Sequence, residues 1–171
     1  MGLETKRDWA TQGNFNSAGI CAALSTWWCK RIVKTGKTPD GSKLPNVLAY
    51  QHLWNVGEWV GPNIAAQLLN FHSDLATREN VRIVTVHNVA NVKVCVRRKQ
   101  AGVFVLTLYK GTSGHTVGLY RSDERKHFFD PNSGQYSVKV GKSFANSVRK
   151  HLVSNYPTLT DGYLYQIFDR L

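Results

Sequence analysis

The sequence predicts an α+β fold, in which an N-terminal helical half packs on a C-terminal antiparallel β-sheet and the functional site lies in the cleft between them. Three observations predict it. Up to about residue 78, apolar residues recur at helical spacing. From about residue 79, the apolar runs are short and rich in Val, Ile, Thr and Tyr, which suits strands. Turn residues separate those runs closely enough for hairpins, and helices segregated from an antiparallel sheet make an α+β arrangement. The 171 residues suit one domain, with a helical half at about 1–78 and a sheet half at about 79–171.

The segment Trp9–Gly19 is polar, with Gln12, Gly13, Asn14, Asn16 and Ser17, and reads as a loop. From Ile20 the apolar residues Leu24, Trp27, Trp28 and Ile32 follow helical spacing. Ser17 is a candidate cap, and Lys30, Arg31 and Lys34 suit the negative end of the helix dipole. Gly36 and Pro39 stop the helix, which therefore covers about 19–35 with Cys21 in its first turn. Residues 37–46 form a Gly/Pro loop. Helices are predicted over Val47–Val60 and Asn63–Leu75, broken by Gly61 and Pro62. Strands follow at Val81–His87, Lys93–Val96, Val103–Tyr109, His115–Arg121 and Lys126–Asp130. His115, Val117 and Leu119 share one face of their strand, Thr116, Gly118 and Tyr120 the other. Ser122–Arg125 is the hairpin turn, and Pro131 ends the next strand because it cannot continue a central ladder. Phe144, Val148 and Leu152 mark a helix over Ser143–Val153, and Tyr163–Phe168 a last strand.

Composition narrows the function classes. Apolar residues make up 42% of the chain, with 5 Trp, 7 Tyr and 7 Phe, enough for a core without staples. The cysteines Cys21, Cys29 and Cys95 are odd in number and argue against a disulfide framework, which fits a reducing compartment. No CxxC or paired Cys/His spacing points to zinc, so no metal and no cofactor is expected. The N-terminus lacks the apolar run of a cleavable signal peptide, and Gly2 with Lys6 does not complete a myristoylation motif. No apolar run approaches the roughly 20 residues that span a bilayer. The formal net charge is +11, with basic clusters at Lys30, Arg31, Lys34 and Lys37, at Lys93, Arg97, Arg98 and Lys99, and near Arg149 and Lys150. Such a charge favours an acidic protein, a nucleic acid or an anionic lipid surface, and equally serves plain solubility. The basic runs are not interleaved with a nucleic-acid motif, so no specific nucleic acid is expected. Nothing in the sequence argues for an oligomer, and a monomer is expected.

One constellation carries chemistry. A thiol attacks as its thiolate, and at a pKa of about 8.5 little thiolate exists at neutral pH. A helix N-terminus and a neighbouring imidazolium both depress that pKa. Cys21 stands where the first acts, behind the small residues Ser17, Ala18 and Gly19, and its own N–H is positioned to serve half of an oxyanion hole. By helix position alone, Cys21 fits a small buried apolar residue better than a nucleophile. His115 changes that balance, opening a strand after a Gly-rich turn. Asp130 ends the next strand of the same hairpin, where it is expected to face His115 across two adjacent strands and fix its tautomer. Turn chemistry explains an aspartate before Pro131 but not its pairing with a histidine. Amide side chains just upstream of Cys21 are candidate oxyanion donors: Asn16 first by spacing, then Gln12, with Asn14 also in range. His52, His72, His87, His127 and His151 have no comparable setting and read as surface or packing residues. Cys29 shares a helical face with Cys21 and reads as core; Cys95 reads as structural.

Two blocks then resemble the YopT/AvrPphB-type papain-like cysteine proteases, a family of injected bacterial effectors. The first is Ala18-Gly19-Ile20-Cys21-Ala22-Ala23-Leu24-Ser25-Thr26-Trp27-Trp28, similar to the family's Gly-x-Cys-x-x-Leu-Ser-x-x-Trp helix. The second is Gly114-His115-Thr116-Val117-Gly118-Leu119-Tyr120-Arg121, then Phe128-Phe129-Asp130-Pro131-Asn132-Ser133-Gly134, similar to the family's histidine strand and aspartate turn. The blocks cover about a fifth of the chain. The resemblance implies a papain-like fold, a Cys21–His115–Asp130 triad and cleavage of a host protein, acidic or membrane-associated given the basic surface. It also implies export from a bacterium without a cleavable signal peptide, and action in the host-cell cytoplasm or at the inner face of a host membrane. Residues 40–100 match nothing in the family and are expected to hold substrate specificity.

Two alternatives stay open on the sequence. The same nucleophile, base and oxyanion hole serve glutamine deamidation or transamidation. A chain with a decayed triad would be a basic binding module.

Overall fold

A computed structural model of the protein describes residues 3–5, 21–39, 64–89, 101–111 and 113–169. The helix predicted over 47–60, the strand over 93–96 and the loop over 9–19 lie outside the described residues. The described elements, in order, are strand β1 (Leu3–Thr5), helix α1 (Cys21–Thr35), helix α2 (Ile64–Arg78), strands β2 (Val81–Val89), β3 (Gly102–Lys110), β4 (Ser113–Arg121), β5 (Lys126–Asp130) and β6 (Gly134–Val138), helix α3 (Phe144–Asn155) and strand β7 (Asp161–Asp169). The strands form an antiparallel sheet in the order β1-β6-β5-β4-β3-β7-β2. The fold is α+β with an antiparallel sheet, as predicted.

Local chemistry sets the ends of the elements. Gly36, at φ +67°, closes α1 with its N–H on the Ile32 carbonyl, a left-handed cap that glycine adopts without a Cβ penalty. Asn80, at φ +53°, turns the chain straight from α2 into β2. Ser143 caps α3, its hydroxyl accepting from the Asn146 N–H at 3.3 Å.

The pleat sends alternate side chains to two apolar clusters, one on each side of the sheet. Val103 and Val105 of β3, Phe129 of β5 and Tyr165 and Ile167 of β7 pack with Leu24, Trp27, Trp28, Cys29 and Ile32 of α1 and Ala76 of α2. Phe104, Leu106 and Leu108 of β3, Val117 and Leu119 of β4, Phe128 of β5 and Leu164 of β7 pack with Phe144, Val148 and Leu152 of α3. β3 is therefore buried on both sides and reads as a continuous apolar run rather than an alternating one.

Strand β6 was not expected. It pairs with β5 on one side and β1 on the other, so the residues after Asp130 form a tight turn into a further strand. Its Tyr136 and Val138 pack against the α3 cluster. Gln135, pointing the other way, accepts the Trp28 Nε1 hydrogen at 2.6 Å in a buried bond that ties α1 to the sheet.

Candidate active site

Three elements bring the predicted residues together. Cys21 is the first described residue of α1, and α1 lies against β4. What holds it there is the contact between Gly118 and Trp28: a Cβ at Gly118 would lie 2.6 Å from Trp28 Cε3. Only glycine lets the indole approach that closely. Ser25 adds a buried hydrogen bond to the Thr116 carbonyl at 3.0 Å, fixing the first turns of α1 beside the residue after His115.

His115 and Asp130 lie on adjacent strands, with one correction to the expected register. The β4–β5 ladder pairs Gly118 with Phe129 and Arg121 with Lys126, and the turn closes from the Ser122 N–H to the Arg125 carbonyl at 2.7 Å. Continuing that register puts Asp130 across from Val117, so it meets His115 diagonally rather than directly. The displacement is two residues, which keeps both side chains on one face. The contact is direct all the same: His115 Nε2 and Asp130 Oδ1 are 2.9 Å apart, and both side chains are buried. With Nε2 committed to Asp130, Nδ1 is the ring nitrogen left for Cys21, whose thiol and the His115 ring act on each other's protonation.

The electrostatics follow from these contacts. Burial pushes the Cys21 thiol up, but the hydrogen bond and charge of His115, with backbone bonds from Thr116 and Ala22, outweigh it and leave the thiol below its ordinary value. Burial alone would lower His115; the bonds to Asp130 and Cys21 raise it above the usual histidine value. Burial opposes the charge on Asp130, and hydrogen bonds from His115, His151 and the Asn132 N–H hold it well below the usual carboxylate range. All three shifts favour a thiolate, an imidazolium and a carboxylate side by side. Cys29 stands in contrast: burial pushes its thiol far up, and it donates to the Phe104 carbonyl at 3.3 Å. It is a core residue, as expected.

Two further residues belong to the site. His151, expected to be a surface or packing residue, instead hydrogen-bonds through Nε2 to Asp130 Oδ2 at 2.8 Å. Tyr156, just past the end of α3, donates its hydroxyl to the same carboxylate, 2.9 Å from each oxygen, and stacks its ring on His115 at 4.3 Å. The physical reason is the path of α3, which crosses the sheet face that carries His115 and Asp130. His72 does behave as a packing residue: buried between Thr107 at 2.7 Å and the Tyr165 ring, it is pushed down to about 3. His127 stacks on Tyr120. Asn16, Gln12, Asn14, His52 and Cys95 lie outside the described residues. Among the described residues, no group of three or more His, Cys, Asp and Glu is arranged to hold a metal ion.

Comparison with known proteins gives three findings. Residues 55–166 match the family model Peptidase_C58, described as Yersinia/Haemophilus virulence surface antigen. The match includes His115 and Asp130, and Cys21 lies before it; it also takes in residues 55–100, so the expectation that residues 40–100 match nothing in the family is corrected there. No curated protein matches the chain. Among solved structures, the fold is similar to the crystal structure of the Pseudomonas avirulence protein AvrPphB, with a TM-score of 0.66 at 14% identity over 92% of this chain and 95% of that one.

Proposed function

Because the chain belongs to the Yersinia/Haemophilus virulence surface antigen family, Peptidase_C58, we propose that it is a papain-like cysteine endopeptidase with Cys21 as nucleophile, His115 as general acid and base, and Asp130 as orienter. The observation that carries this reading is the buried Asp130–His115 Nε2 pair at 2.9 Å, with His115 in turn lowering the Cys21 thiol at a helix N-terminus. A relay in that order activates a nucleophile and fixes the tautomer of its base.

The thiolate sulfur attacks the substrate carbonyl carbon, and the π pair moves onto oxygen. When that tetrahedral adduct collapses, the amine leaves with the proton from His115 and a thioester remains on Cys21. Water then gives its proton to His115 as its oxygen attacks the thioester, and collapse expels the thiolate with an acid product. The developing oxyanion needs donors. The Cys21 N–H, in a first turn where amides lack helical partners, supplies one. The Asn16 side chain is proposed as the other, with Gln12 as the alternative.

The substrate proposed is a host protein met after export from the bacterium, acidic or attached to an anionic membrane. The net charge of +11 supports that choice, and ions screen such attraction within about 10 Å at 0.1 M salt.

Alkylation by iodoacetamide at pH 6 tests the nucleophile. An ordinary thiol is roughly 0.3% thiolate at that pH. Cys21 is expected to react well ahead of Cys29 and Cys95, and to lose that lead in His115→Ala. Slow, equal reaction of all three cysteines in the wild type would rule the assignment out.

A further inference from the structure

Asp130 is more heavily held than orienting one histidine requires. Its Oδ1 receives His115 Nε2 at 2.9 Å, the Asn132 N–H at 2.9 Å and the Tyr156 hydroxyl at 2.9 Å; its Oδ2 receives His151 Nε2 at 2.8 Å and the same hydroxyl at 2.9 Å. A carboxylate offers about four lone-pair sites, so the acceptor capacity is filled. His115 and the Asn132 N–H hold Oδ1 alone, and the Tyr156 hydroxyl sits between the two oxygens. Among the described residues, His151 is the donor that contacts Oδ2 alone, and so holds the plane from that side.

We infer that His151 is a positioning residue for the proposed relay: by donating to Oδ2 it fixes the plane of Asp130 and, through it, the plane of the His115 ring. The inference rests on the triad reading above. The surroundings of His151 suit that task. Its ring lies against Phe128 of β5 at 5.0 Å and Tyr136 of β6 at 5.2 Å, and its side chain is nearly buried. Among the described residues, the polar or titratable groups in contact with its ring are Asp130 and Tyr136, with Tyr156 and His115 beyond the shared carboxylate. Burial and the Asp130 charge keep the Tyr156 phenol protonated and hence a donor. One short element therefore clamps the relay from two sides, His151 from within α3 and Tyr156 from just beyond its end.

His151 reaches the carboxylate on the oxygen that His115 leaves free, so the two imidazoles do not compete for one site. Without His151, Oδ2 is left sharing the Tyr156 hydroxyl with Oδ1, so the buried carboxylate would rotate to seek a further donor and the His115 ring would follow. Small misplacements in such a constellation cost up to about a hundredfold in rate. Partial loss of one donor is expected to cost on the order of tenfold.

Two variants separate positioning from packing. His151→Phe keeps a ring against Phe128 and Tyr136 but donates nothing to Asp130. His151→Gln gives up the ring and keeps an N–H donor. The readout is the rate of Cys21 alkylation by iodoacetamide at pH 6, measured on the full chain by peptide mass, with Cys29 as the internal reference. The expected result is a roughly tenfold slowing in His151→Phe and a rate within about twofold of wild type in His151→Gln. A wild-type rate in His151→Phe, or a His151→Gln variant as slow as Asp130→Ala, overturns the inference. The second comparison decides the matter alone should His151→Phe not fold. If wild-type Cys21 shows no lead over Cys29, the triad reading itself fails, a result distinct from failure of the His151 variants.

Discussion

At Cys21, burial and hydrogen bonding compete for the thiol proton. Burial is the largest single influence and favours the neutral thiol, while His115 and the backbone of Thr116 and Ala22 together favour the thiolate. The same competition at Asp130 has a consequence for stability. Its folded value is depressed, so its contribution is complete above the ordinary carboxylate value of about 4 and is lost as pH falls through the folded value. His115 is raised despite burial, by its bonds to Asp130 and Cys21, so its contribution is complete below about 6.5 and is lost as pH rises through the raised value. Asp130 and His115 together therefore stabilise the fold most between about pH 4 and 6.5, while the lowered Cys21 thiol adds a contribution that is complete only above the ordinary thiol value of about 8.5 and is lost as pH falls through its folded value. Asp130→Asn is expected to flatten the dependence of the urea midpoint on pH at both ends of that window; a curve parallel to wild type would contradict the assignment. At this scale Cys21, His115 and Asp130 were legible because short motifs surround them. His151 was not, because it lies 21 residues from Asp130 on a helix whose apolar spacing already explains its sequence.

Three contacts of Trp28 with the sheet seat the helix that carries Cys21. The Trp28 indole fills the space above Gly118 and stacks on Phe129 at 5.6 Å, and its Nε1 donates to Gln135. Changes at that seam act on α1 as a rigid unit, because its first turns carry Cys21 and its third turn carries Trp28. Gly118→Ala would drive a methyl into the indole and is expected to destabilise the fold by about 1–3 kcal/mol, the usual range for overpacking. Urea denaturation checks it; an unchanged midpoint would mean that Trp28 shifts without cost. Elements with strong periodicity, α1, β3 and β4, were readable from the chain. β6 was not, because Pro131, Asn132, Ser133 and Gly134 look like the end of a hairpin. The alternation of Gln135 and Ser137 against Tyr136 and Val138 was the signal available. It is a short one, and its meaning depends on β1, three residues from the other end of the chain. At the far edge of the sheet, a bulge between Ile83 and Thr85 leaves Val84 half exposed on β2 and interrupts a straight edge.

The whole molecule divides its labour between two sides of the sheet. α1 and α2 cover one side and bring Cys21; α3 covers the other and brings the groups that hold Asp130. The fold class was legible because the switch from helical to strand spacing near residue 80 is a property of long stretches. The seating of α3 was not, because it depends on long-range packing that no local pattern encodes. Surface charge acts over the same scale. Part of the basic cluster on α1 is neutralised, Lys30 by Glu79 at 2.8 Å and Lys34 by Asp169. The excess that remains is a property of the entire chain, and favours approach to acidic partners rather than any single contact.

The most direct test of the protease reading is incubation of the wild type and Cys21→Ala with a host-cell lysate, followed by labelling of new protein N-termini. The account predicts termini that appear with the wild type and are missing with Cys21→Ala. Substrates that gain about one dalton at a glutamine with no new termini would contradict peptide-bond cleavage, and new termini that persist in Cys21→Ala would contradict the nucleophile.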